Sequence, residues 1–303
     1  MSGPTDDHAA ALDPAAKAAV LAEALPYIRR FRDRVVVIKH GGAAMAESGE
    51  RTQPGGEADL ASFASDVVLM RSVGMLPVVV HGGGPQIGHW MERAGKSPVF
   101  HEGLRVTDAE TLDIVRMVLV GKVNRDIVAA INAHGPLAVG LSGEDARLIT
   151  ASVHSEGRLG YVGEVTEVDP SIVRRVLAEG LIPVIATIGS DLSGQSYNIN
   201  ADTVAGAVAS ALSAEKLVYL TDVDGLRRDR ADPDSLVHSV GVVELEAMVA
   251  DHTVADGMIP KAKACIQAVK AGVGHAHVLN GRIPHVLLLE IFTQAGIGTM
   301  VNP

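Results

Sequence analysis

Two stretches of this chain share one design, VVVIKHGG at residues 35–42 and PVVVHGGG at residues 77–84. In each, a short apolar run predicts a buried strand that ends in clustered glycines. A glycine has no Cβ, so the backbone N–H groups of such a turn stay open to close approach. Turns of this kind bind phosphate or carboxylate at the ends of parallel strands. Two of them, one preceded by Lys39, indicate a site that holds two anions together.

The composition favours parallel sheets covered by helices. Of the 303 residues, 47% are hydrophobic but only 3% are aromatic, so Val, Ile, Leu and Ala must build the core. The net charge of −10 disfavours nucleic acid as a partner. The single cysteine, Cys265, allows no intrachain disulfide, and neither a signal peptide nor an apolar run of about 20 residues is visible. We therefore expect a cytoplasmic protein that binds no membrane.

Strand-like and helical patterns alternate along the chain, which predicts a mostly parallel sheet with helices on both faces. We expect a β-hairpin at 150–165 and a last strand-like run at 286–292. The stretch 190–200 is polar, so we expect it to be irregular and to separate two lobes, residues 33–190 and 191–303.

Residues 1–32 form a separate N-terminal tail and helix. Asp13 is predicted to be the N-cap of this helix and Pro14 its first residue, and Pro26 is expected to kink it. Because the helix precedes the first core strand, it is either packed on the surface as a leader or serves as an arm for interaction or regulation.

Common explanations for a glycine turn fail here. The chain has no G-x-x-x-x-G-K-[ST] motif, and neither turn completes G-x-G-x-x-G. The run of His81 and three glycines resembles the oxyanion motif of lipases. The chain has no G-x-S-x-G nucleophile elbow, however, so this run does not indicate a lipase. The twelve histidines show no zinc-ligand spacing, so we expect no metal site built by the protein itself.

Basic residues stand where anions would bind. Lys39 follows a buried strand, although an ordinary solvated lysine would fit that position equally well. Arg105 suits bidentate binding of a carboxylate, or else caps a surface turn. Lys261 opens a helix, where its charge faces the positive end of the helix dipole, and such a placement is more plausible when an anion binds there.

Two polar segments allow more than one interpretation. In NINAD, residues 198–202, either Asn200 or Asp202 could be only the N-cap of the helix that follows. The segment TDVDGL, residues 221–226, is either a loop that binds a nucleotide ribose or an Asp-rich turn.

Together these motifs resemble the N-acetylglutamate kinases of the amino acid kinase family, along nearly all of residues 33–303. The matching segments are VIKHGG (37–42), VHGGGPQI (80–87), GLRVTD (103–108), GLSG (140–143), NINAD (198–202), LTDVDG (220–225), GMIPK (257–261) and LEIF (289–292). The glycine turn before Pro85 and the paired lysines are shared by the wider family, whereas GLRVT and GMIPK point to this branch. The resemblance implies a three-layer αβα sandwich with an open, mostly parallel central sheet.

The resemblance also implies a reaction, the transfer of a phosphoryl group from ATP to the γ-carboxylate of N-acetyl-L-glutamate on the route to arginine. Mg²⁺ would be carried by the nucleotide. A carboxylate acceptor is ionised at neutral pH and needs no general base. The difficulty lies in bringing two anions together and stabilising the transferring group, which lysines and glycine N–H groups can do.

The family pattern assigns roles to individual positions. It implies that the catalytic residues are Lys39 and Lys261, which flank the transferring group, and Asp202, which orients them. It implies that the acceptor binds to Gly83, Gly84, Arg105 and Asn198, with Arg105 on its α-carboxylate. It implies that the nucleotide meets Gly41, Gly42, Asp222, Val223, Asp224, Gly225, Leu226, Arg227, Thr253, Val254 and Ala255.

Regulation is implied by the N-terminal helix. Arginine-sensitive members of the family carry such a kinked helix, interlaced between dimers to form a hexamer, and bind arginine between it and the C-terminal lobe. The resemblance therefore implies inhibition by L-arginine, a hexamer of three dimers or a dimer, and an arginine site. Transferred by position, that site is formed by Tyr27, His277, Glu290 and Gly296.

The chain departs from the family pattern near the phosphate turn. Ala43 stands where asparagine is usual, His40 replaces a common tyrosine or phenylalanine, and the loop insertion 46–57 has no assigned role. Two alternatives stay open, a related kinase acting on another carboxylate or carbamate, and a non-catalytic arginine-sensing protein. The intact lysine pair argues against the second, because a sensor has no use for charges directed at a phosphoryl group.

Overall fold

The computed structural model describes residues 13–41, 56–229, 232, 235–251, 253–254, 258–293 and 296–303. Gly42, Ala43, Ala255 and nearly all of the insertion 46–57 lie outside the described residues. The strands are β1 (Val35–His40), β2 (Leu76–His81), β3 (Phe100–His101), β4 (Leu104–Arg105), β5 (Ala138–Ser142), β6 (Ile149–Val153), β7 (Val162–Val168), β8 (Ile182–Ala186), β9 (Ile188–Ser190), β10 (Ser196–Ile199), β11 (Lys216–Thr221), β12 (Ser239–Gly241), β13 (His275–Asn280) and β14 (Thr299–Asn302).

The helices surround these strands. They are α1 (Pro14–Phe31), α2 (Gly56–Ser72), α3 (Gly84–Arg93), α4 (Ala109–Arg116), α5 (Asn124–Asn132), α6 (Ser171–Ala178), α7 (Ala201–Ala211), α8 (Val242–Ala250), α9 (Ile259–Lys270) and α10 (Val286–Phe292). A π-helical segment, Met117–Val123, joins α4 to α5. None of the described helices is both long enough and apolar enough to cross a membrane.

An eight-stranded sheet forms the middle layer, in the order β12-β14-β13-β11-β1-β2-β8-β5. Its neighbouring strands run parallel, with the exception of the antiparallel pair β13–β14. Successive residues of β1 enter opposite cores, Val37 on one face and Val36 and Ile38 on the other. Both faces are therefore buried under helices, and the predicted three-layer sandwich is confirmed.

A small four-stranded barrel, β10-β7-β6-β9, stands beside the sheet. The predicted hairpin is confirmed as the antiparallel pair β6–β7, but the irregular stretch expected at 190–200 is wrong, because β9 and β10 pair there. Tyr197 and Ile199 are buried on alternate positions of β10, a short period-2 pattern that the surrounding polar residues conceal. The division into lobes at residue 190 stays a prediction, and the β9–β10 hairpin spans it.

The end of the chain corrects a second expectation, since residues 286–292 form helix α10 and not a strand. Its buried residues include Val286, Leu287, Glu290 and Ile291, a helical spacing. A run of seven mostly apolar residues is too short for its sequence to distinguish the two structures. The N-terminal helix is confirmed as α1, with Asp13 as N-cap and Pro26 inside it. The kink at Pro26 stays a prediction.

The strand register sets the two glycine turns side by side. His40 pairs with His81 across β1 and β2, and with Leu220 across β1 and β11. Parallel strands present their carboxyl ends at one edge of the sheet, where open α/β folds bind ligands. Gly41, the turn at 82–84 and the start of the loop that follows Thr221 therefore lie at one edge.

Two buried histidines close these strands. The ring of His40 stacks on Phe63 at a centroid distance of 4.2 Å, so this histidine is packed as an aromatic side chain would be. Burial lowers the pKa of His40 to about 3, helped by the nearby His81 and Lys39. Burial likewise lowers the pKa of His81 to about 4. Both imidazoles are therefore neutral in the folded protein near pH 7.

These lowered pKa values predict a stability that falls in mild acid. Between the ordinary histidine pKa of 6.5 and about 4, the unfolded chain binds protons that the folded protein does not. The free energy of unfolding should therefore decrease as the pH falls, by about 1.4 kcal/mol per pH unit for each histidine. Urea unfolding of the parent and of His40→Phe at pH 7, 6 and 5 measures the contribution of His40. The free energy of unfolding should fall more steeply with decreasing pH in the parent than in His40→Phe, by about 1.4 kcal/mol per pH unit, and the same pH dependence in both proteins would contradict the prediction.

Candidate active site

A pocket of about 160 Å³ opens at the carboxyl edge of the sheet. It is lined by the glycine turn 82–84, by Arg105 in the β3–β4 hairpin, and by residues 198–201, where β10 leads into α7. The structure thus brings together the four residues predicted to bind the acceptor, which are Gly83, Gly84, Arg105 and Asn198. Their roles remain predictions, but they share one small pocket.

Arg105 is a buried cation in the wall of this pocket. Its side chain is held by a hydrogen bond from Nη2 to the Gly84 carbonyl at 2.8 Å and by stacking over Phe100 at 4.7 Å. The residue is only 8% exposed, and it makes no salt bridge with any described residue. Burial lowers the pKa of its guanidinium. A buried charge without a partner is costly, so an anion in the pocket would complete this arrangement.

A chain of hydrogen bonds links Arg105 to the barrel. The Thr107 hydroxyl donates to the Arg105 carbonyl at 2.7 Å, and Asn198 Nδ2 donates to the Thr107 oxygen at 3.2 Å. Thr107 is fully buried. The sequence offered Thr107 only as part of the GLRVT motif, and its part in fixing the distance between Arg105 and Asn198 was missed.

Two helices direct their N-termini at the same pocket. Helix α3 begins at Gly84 with Gly83 as its N-cap, and α7 begins at Ala201 with Asn200 as its N-cap. Helix N-termini carry partial positive charge and bind anions. Asn200 Oδ1 accepts from the N–H groups of Asp202 at 2.8 Å and Thr203 at 3.2 Å. Asn200 is therefore the cap, and the Asp202 side chain has a different contact.

That contact is an ion pair with Lys39. Lys39 Nζ lies 2.8 Å from Asp202 Oδ1, with the two side chains 12% and 16% exposed. A Cβ on Gly41 would lie 3.0 Å from Lys39 Nζ and 2.7 Å from the Leu220 carbonyl oxygen, so the backbone passes this ammonium group more closely than a side chain would allow. The structure thus excludes a freely solvated Lys39.

Lys261 is half-buried near the N-terminus of α9, a helix that packs against α7. Asp202 lies at the start of α7, so Lys261 and Asp202 are near the N-terminal ends of two helices that pack together. Cys265, one turn further along α9, is buried, and burial raises the pKa of its thiol. The catalytic role of Lys261 stays a prediction.

The loop after β11 is held by side chains from the neighbouring strand. Asp224 accepts hydrogen bonds from Arg227 at 2.9 Å and from Asn280 of β13 at 2.8 Å. Asp222 accepts from the Thr221 hydroxyl at 3.1 Å and is exposed. Of the predicted nucleotide residues here, Asp222 and the half-exposed Val223 have side chains free to meet a ligand.

Further along this loop, Gly225 allows a close contact with β14. Its φ is +146°, and a Cβ there would lie 2.6 Å from Thr299 Oγ1. The Leu226 N–H donates to the same hydroxyl at 2.8 Å, and the Leu226 side chain is buried in the core. Val254 is also in the core. Leu226 and Val254 can therefore offer a nucleotide only their backbone.

Thr253 belongs to the second predicted nucleotide segment. Its N–H and hydroxyl both donate to Asp251 Oδ1, at 3.0 and 2.6 Å. This turn precedes residue 255, which lies outside the described residues. The nucleotide contacts of this segment, and those of Gly42 and Ala255, stay predictions.

The predicted regulatory residues also come together. His277 Nδ1 lies 2.8 Å from Glu290 Oε1, and both side chains are buried. The Ile297 N–H donates to Glu290 Oε2 at 3.2 Å, and a Cβ on Gly296 would lie 3.4 Å from that oxygen. Tyr27 packs on the core from α1, the helix that contacts α10.

Lys216 joins this cluster, although it was missed in the sequence. Only 7% exposed at the start of β11, it places Nζ 5.1 Å from the ring centre of Phe31 in α1. Burial works to raise the pKa of Glu290, but the hydrogen bond from His277 and the charges of His277 and Lys216 hold it below its ordinary value. The sequence signal that could have identified Lys216 was a lysine at the first position of a predicted buried strand.

Comparison with known proteins agrees with this geometry. The model of the amino acid kinase family matches residues 34–280. Acetylglutamate kinase of Synechococcus sp. (strain RCC307) is 53% identical over 282 residues, which are 93% of this chain and 92% of that protein.

Two solved structures of N-acetylglutamate synthase from Neisseria gonorrhoeae are also similar. The complex with coenzyme A and N-acetyl-glutamate has a TM-score of 0.80 at 28% identity and covers 94% of this chain. The complex with coenzyme A and L-arginine has a TM-score of 0.76 at 26% identity, again over 94% of this chain. The chain spans 63% and 65% of those synthase chains. By its sequence and fold, this chain belongs to the amino acid kinase family, among the acetylglutamate kinases.

Proposed function

We propose that this kinase transfers the terminal phosphoryl group of ATP to the γ-carboxylate of N-acetyl-L-glutamate, giving N-acetyl-L-glutamyl 5-phosphate, a step of arginine biosynthesis. The observation that carries the proposal is Arg105, a buried guanidinium that lines a small pocket and makes no salt bridge with a described residue. The names of the relatives support the same acceptor. So does the similar synthase structure, which holds N-acetyl-glutamate.

The acceptor is an anion with two carboxylates, and the pocket offers separate groups for each. Arg105 binds the α-carboxylate, because a guanidinium fork matches a carboxylate with two parallel hydrogen bonds. The N–H groups of Gly83 and Gly84, at the positive end of α3, hold the opposite end of the molecule. Asn198 contributes a side-chain amide to the acetylated part.

Lys39, Lys261 and Asp202 serve the transfer itself. The two ammonium groups neutralise charge that the phosphoryl group and the carboxylate would otherwise oppose, and this stabilises the transition state. Asp202 holds Lys39 in place and is not a base, since its carboxylate is already paired with the lysine. A Mg²⁺ ion carried by the nucleotide would add further positive charge at the phosphates.

The nucleotide binds beside these lysines, in the C-terminal lobe. The exposed Asp222 and the backbone of 223–227 face it after β11, together with Gly41 and Gly42 and the segment 253–255. The acceptor binds mainly in the N-terminal lobe, residues 33–190, and also meets Asn198, while ATP binds mainly in the lobe 191–303 and also meets Gly41 and Gly42. The nature of both substrates and the single buried thiol, Cys265, favour the cytoplasm.

We also propose that L-arginine inhibits the enzyme by binding at Tyr27, His277, Glu290 and Gly296. Glu290 is buried, and its lowered pKa keeps it a carboxylate, the partner that a guanidinium requires. The similar synthase structure with L-arginine supports a ligand of this kind. In α1, Leu21 and Leu25 are 72% and 46% exposed, and they supply an apolar surface through which dimers join into a hexamer.

Replacing Arg105 tests the acceptor assignment. Arg105→Gln should raise the KM for N-acetyl-L-glutamate by about 10-fold to 100-fold, because a charged hydrogen bond is lost, and should leave the KM for ATP nearly unchanged. The assay measures ATP turnover with N-acetyl-L-glutamate, L-glutamate and carbamate as acceptors. Arg93→Gln, whose arginine stacks on Trp90 outside the pocket, is the matched control. A preference of the parent enzyme for unacetylated glutamate would refute the proposal.

Removing either lysine tests the assigned chemistry. Lys39→Ala and Lys261→Ala should each lower kcat by about 100-fold or more, as expected when charge stabilisation of a transition state is lost. Lys122→Ala is the control, because the ion pair of Lys122 with Asp126 is exposed at the surface. Turnover that survives either active-site substitution would show that the mechanism is wrong.

Regulation can be separated from catalysis. Glu290→Gln should abolish inhibition by arginine and leave turnover without arginine unchanged. Arginine inhibition that persists in this variant would place the inhibitor elsewhere.

Deleting residues 1–26, which spares the buried Phe31, should also abolish inhibition and reduce the hexamer to dimers, as measured by light scattering. A deletion variant that remains hexameric would exclude α1 as the link between dimers.

A further inference from the structure

The glycine turn 82–84 can bind an anion only if its N–H groups, and not its carbonyls, face the pocket. We propose that His81 and Asn124 are positioning residues that orient the Gly82–Gly83 peptide, so that the Gly83 N–H points at the acceptor. The inference rests on the proposed function in one respect, that the acceptor binds at this turn.

The orientation begins with Arg125, whose Nη2 donates to Asn124 Oδ1. A guanidinium has donors only, so the atom that faces it must be the amide oxygen of Asn124. The amide nitrogen, Nδ2, then points the other way. It donates to the Val184 carbonyl at 2.9 Å and lies 3.0 Å from His81 Nε2.

This amide decides the tautomer of His81. Because Asn124 Nδ2 is a donor, Nε2 of the neutral imidazole must be the acceptor, and its proton resides on Nδ1. His81 Nδ1 lies 2.9 Å from the Gly82 carbonyl oxygen and donates to it. His81 and Asn124 are both completely buried, so no water competes for these contacts. Arg125 on the oxygen side, with the Val184 and Leu141 carbonyls on the nitrogen side, thus orients the Asn124 amide, and through His81 this amide determines where the Gly82 carbonyl points.

The planar trans peptide carries this orientation to the pocket. The C=O of Gly82 and the N–H of Gly83 belong to one peptide unit and point in opposite directions. A carbonyl held toward the buried His81 ring therefore directs the Gly83 N–H away from the ring. Gly83 lines the pocket, and the proposal is that its N–H points into it.

Without the hydrogen bond from His81, little would fix the orientation of the Gly82–Gly83 peptide. Glycine allows backbone angles on both sides of the Ramachandran plot, so a Gly–Gly peptide can flip at small steric cost. A flipped peptide would present a carbonyl oxygen to an anion. Substitution of Gly83 is no remedy, because a Cβ there would lie 2.7 Å from Leu119 Cδ2 and 3.1 Å from Val123 Cγ2. The turn must stay glycine, and its orientation must come from His81.

Two amide substitutions at His81 separate positioning from packing. In His81→Asn the amide nitrogen takes the place of Nδ1 and can still donate to the Gly82 carbonyl. In His81→Gln it takes the place of Nε2 and cannot. We expect the KM for N-acetyl-L-glutamate to stay within about threefold of the parent in His81→Asn and to rise about 10-fold to 100-fold in His81→Gln, with the KM for ATP unchanged in both.

Stability should follow the opposite order. Asn is smaller than His and leaves a larger cavity, so His81→Asn should have the lower melting temperature of the two variants. A merely structural role would make KM follow stability, or move both variants equally, and either result would overturn the proposal.

The tautomer is measured directly on the parent protein. ¹⁵N NMR of labelled histidine should show His81 as the neutral tautomer with the proton on Nδ1, and a proton on Nε2 would overturn the proposal even if no variant folds. This measurement needs no substrate. A parent enzyme that shows the Nδ1–H tautomer but does not phosphorylate N-acetyl-L-glutamate would refute the proposed acceptor and leave the peptide orientation supported.

Discussion

The register between β1 and β2 is the constraint on which the site depends. His40 and His81 are paired across these strands, so the two glycine turns that follow them start from neighbouring positions on one sheet edge. A shift by one residue would send Val36, Val37 and Ile38 to the opposite cores and turn Lys39 away from Asp202, so the register is strongly fixed. In the proposed function, this register brings the two anions of the transfer together before any charged side chain contributes.

Positive charge at this edge is local, in a chain whose net charge is −10. It comes from groups that the fold holds rigidly, the N-termini of α3 and α7, the guanidinium of Arg105 and the ammonium of Lys39. Each is restrained by a short contact within the protein, such as Asp202 for Lys39 and the Gly84 carbonyl for Arg105. Restrained dipoles and charges need little reorganisation when an anion binds, which is the basis of electrostatic catalysis.

Much of this arrangement was predictable from the sequence, because its signals are local. Apolar runs that end in glycines predicted the strands and their turns, and NINAD predicted the start of α7. Signals from neighbouring residues fail to predict a contact whose partner lies far away in the chain. Whether Asn200 or Asp202 caps α7 depends on Lys39, which lies far away in the chain but 2.8 Å from Asp202. The burial of Leu226, the role of Thr107 and the helical state of 286–292 depend in the same way on tertiary packing.

The strands β11 and β13 connect the two candidate ligand sites. Lys216 opens β11 in the cluster with His277 and Glu290, which is the candidate arginine site. The loop after Thr221, part of the candidate nucleotide site, follows the other end of that strand. In β13, His277 contacts Glu290, while Asn280, three residues later, holds Asp224 in the nucleotide loop. A ligand at the regulatory cluster can alter catalysis only if it prefers one arrangement of the protein over another. Because β11 and β13 are paired along their whole length in a closely packed sheet, they are the direct physical connection through which such a preference would reach the loop after Thr221.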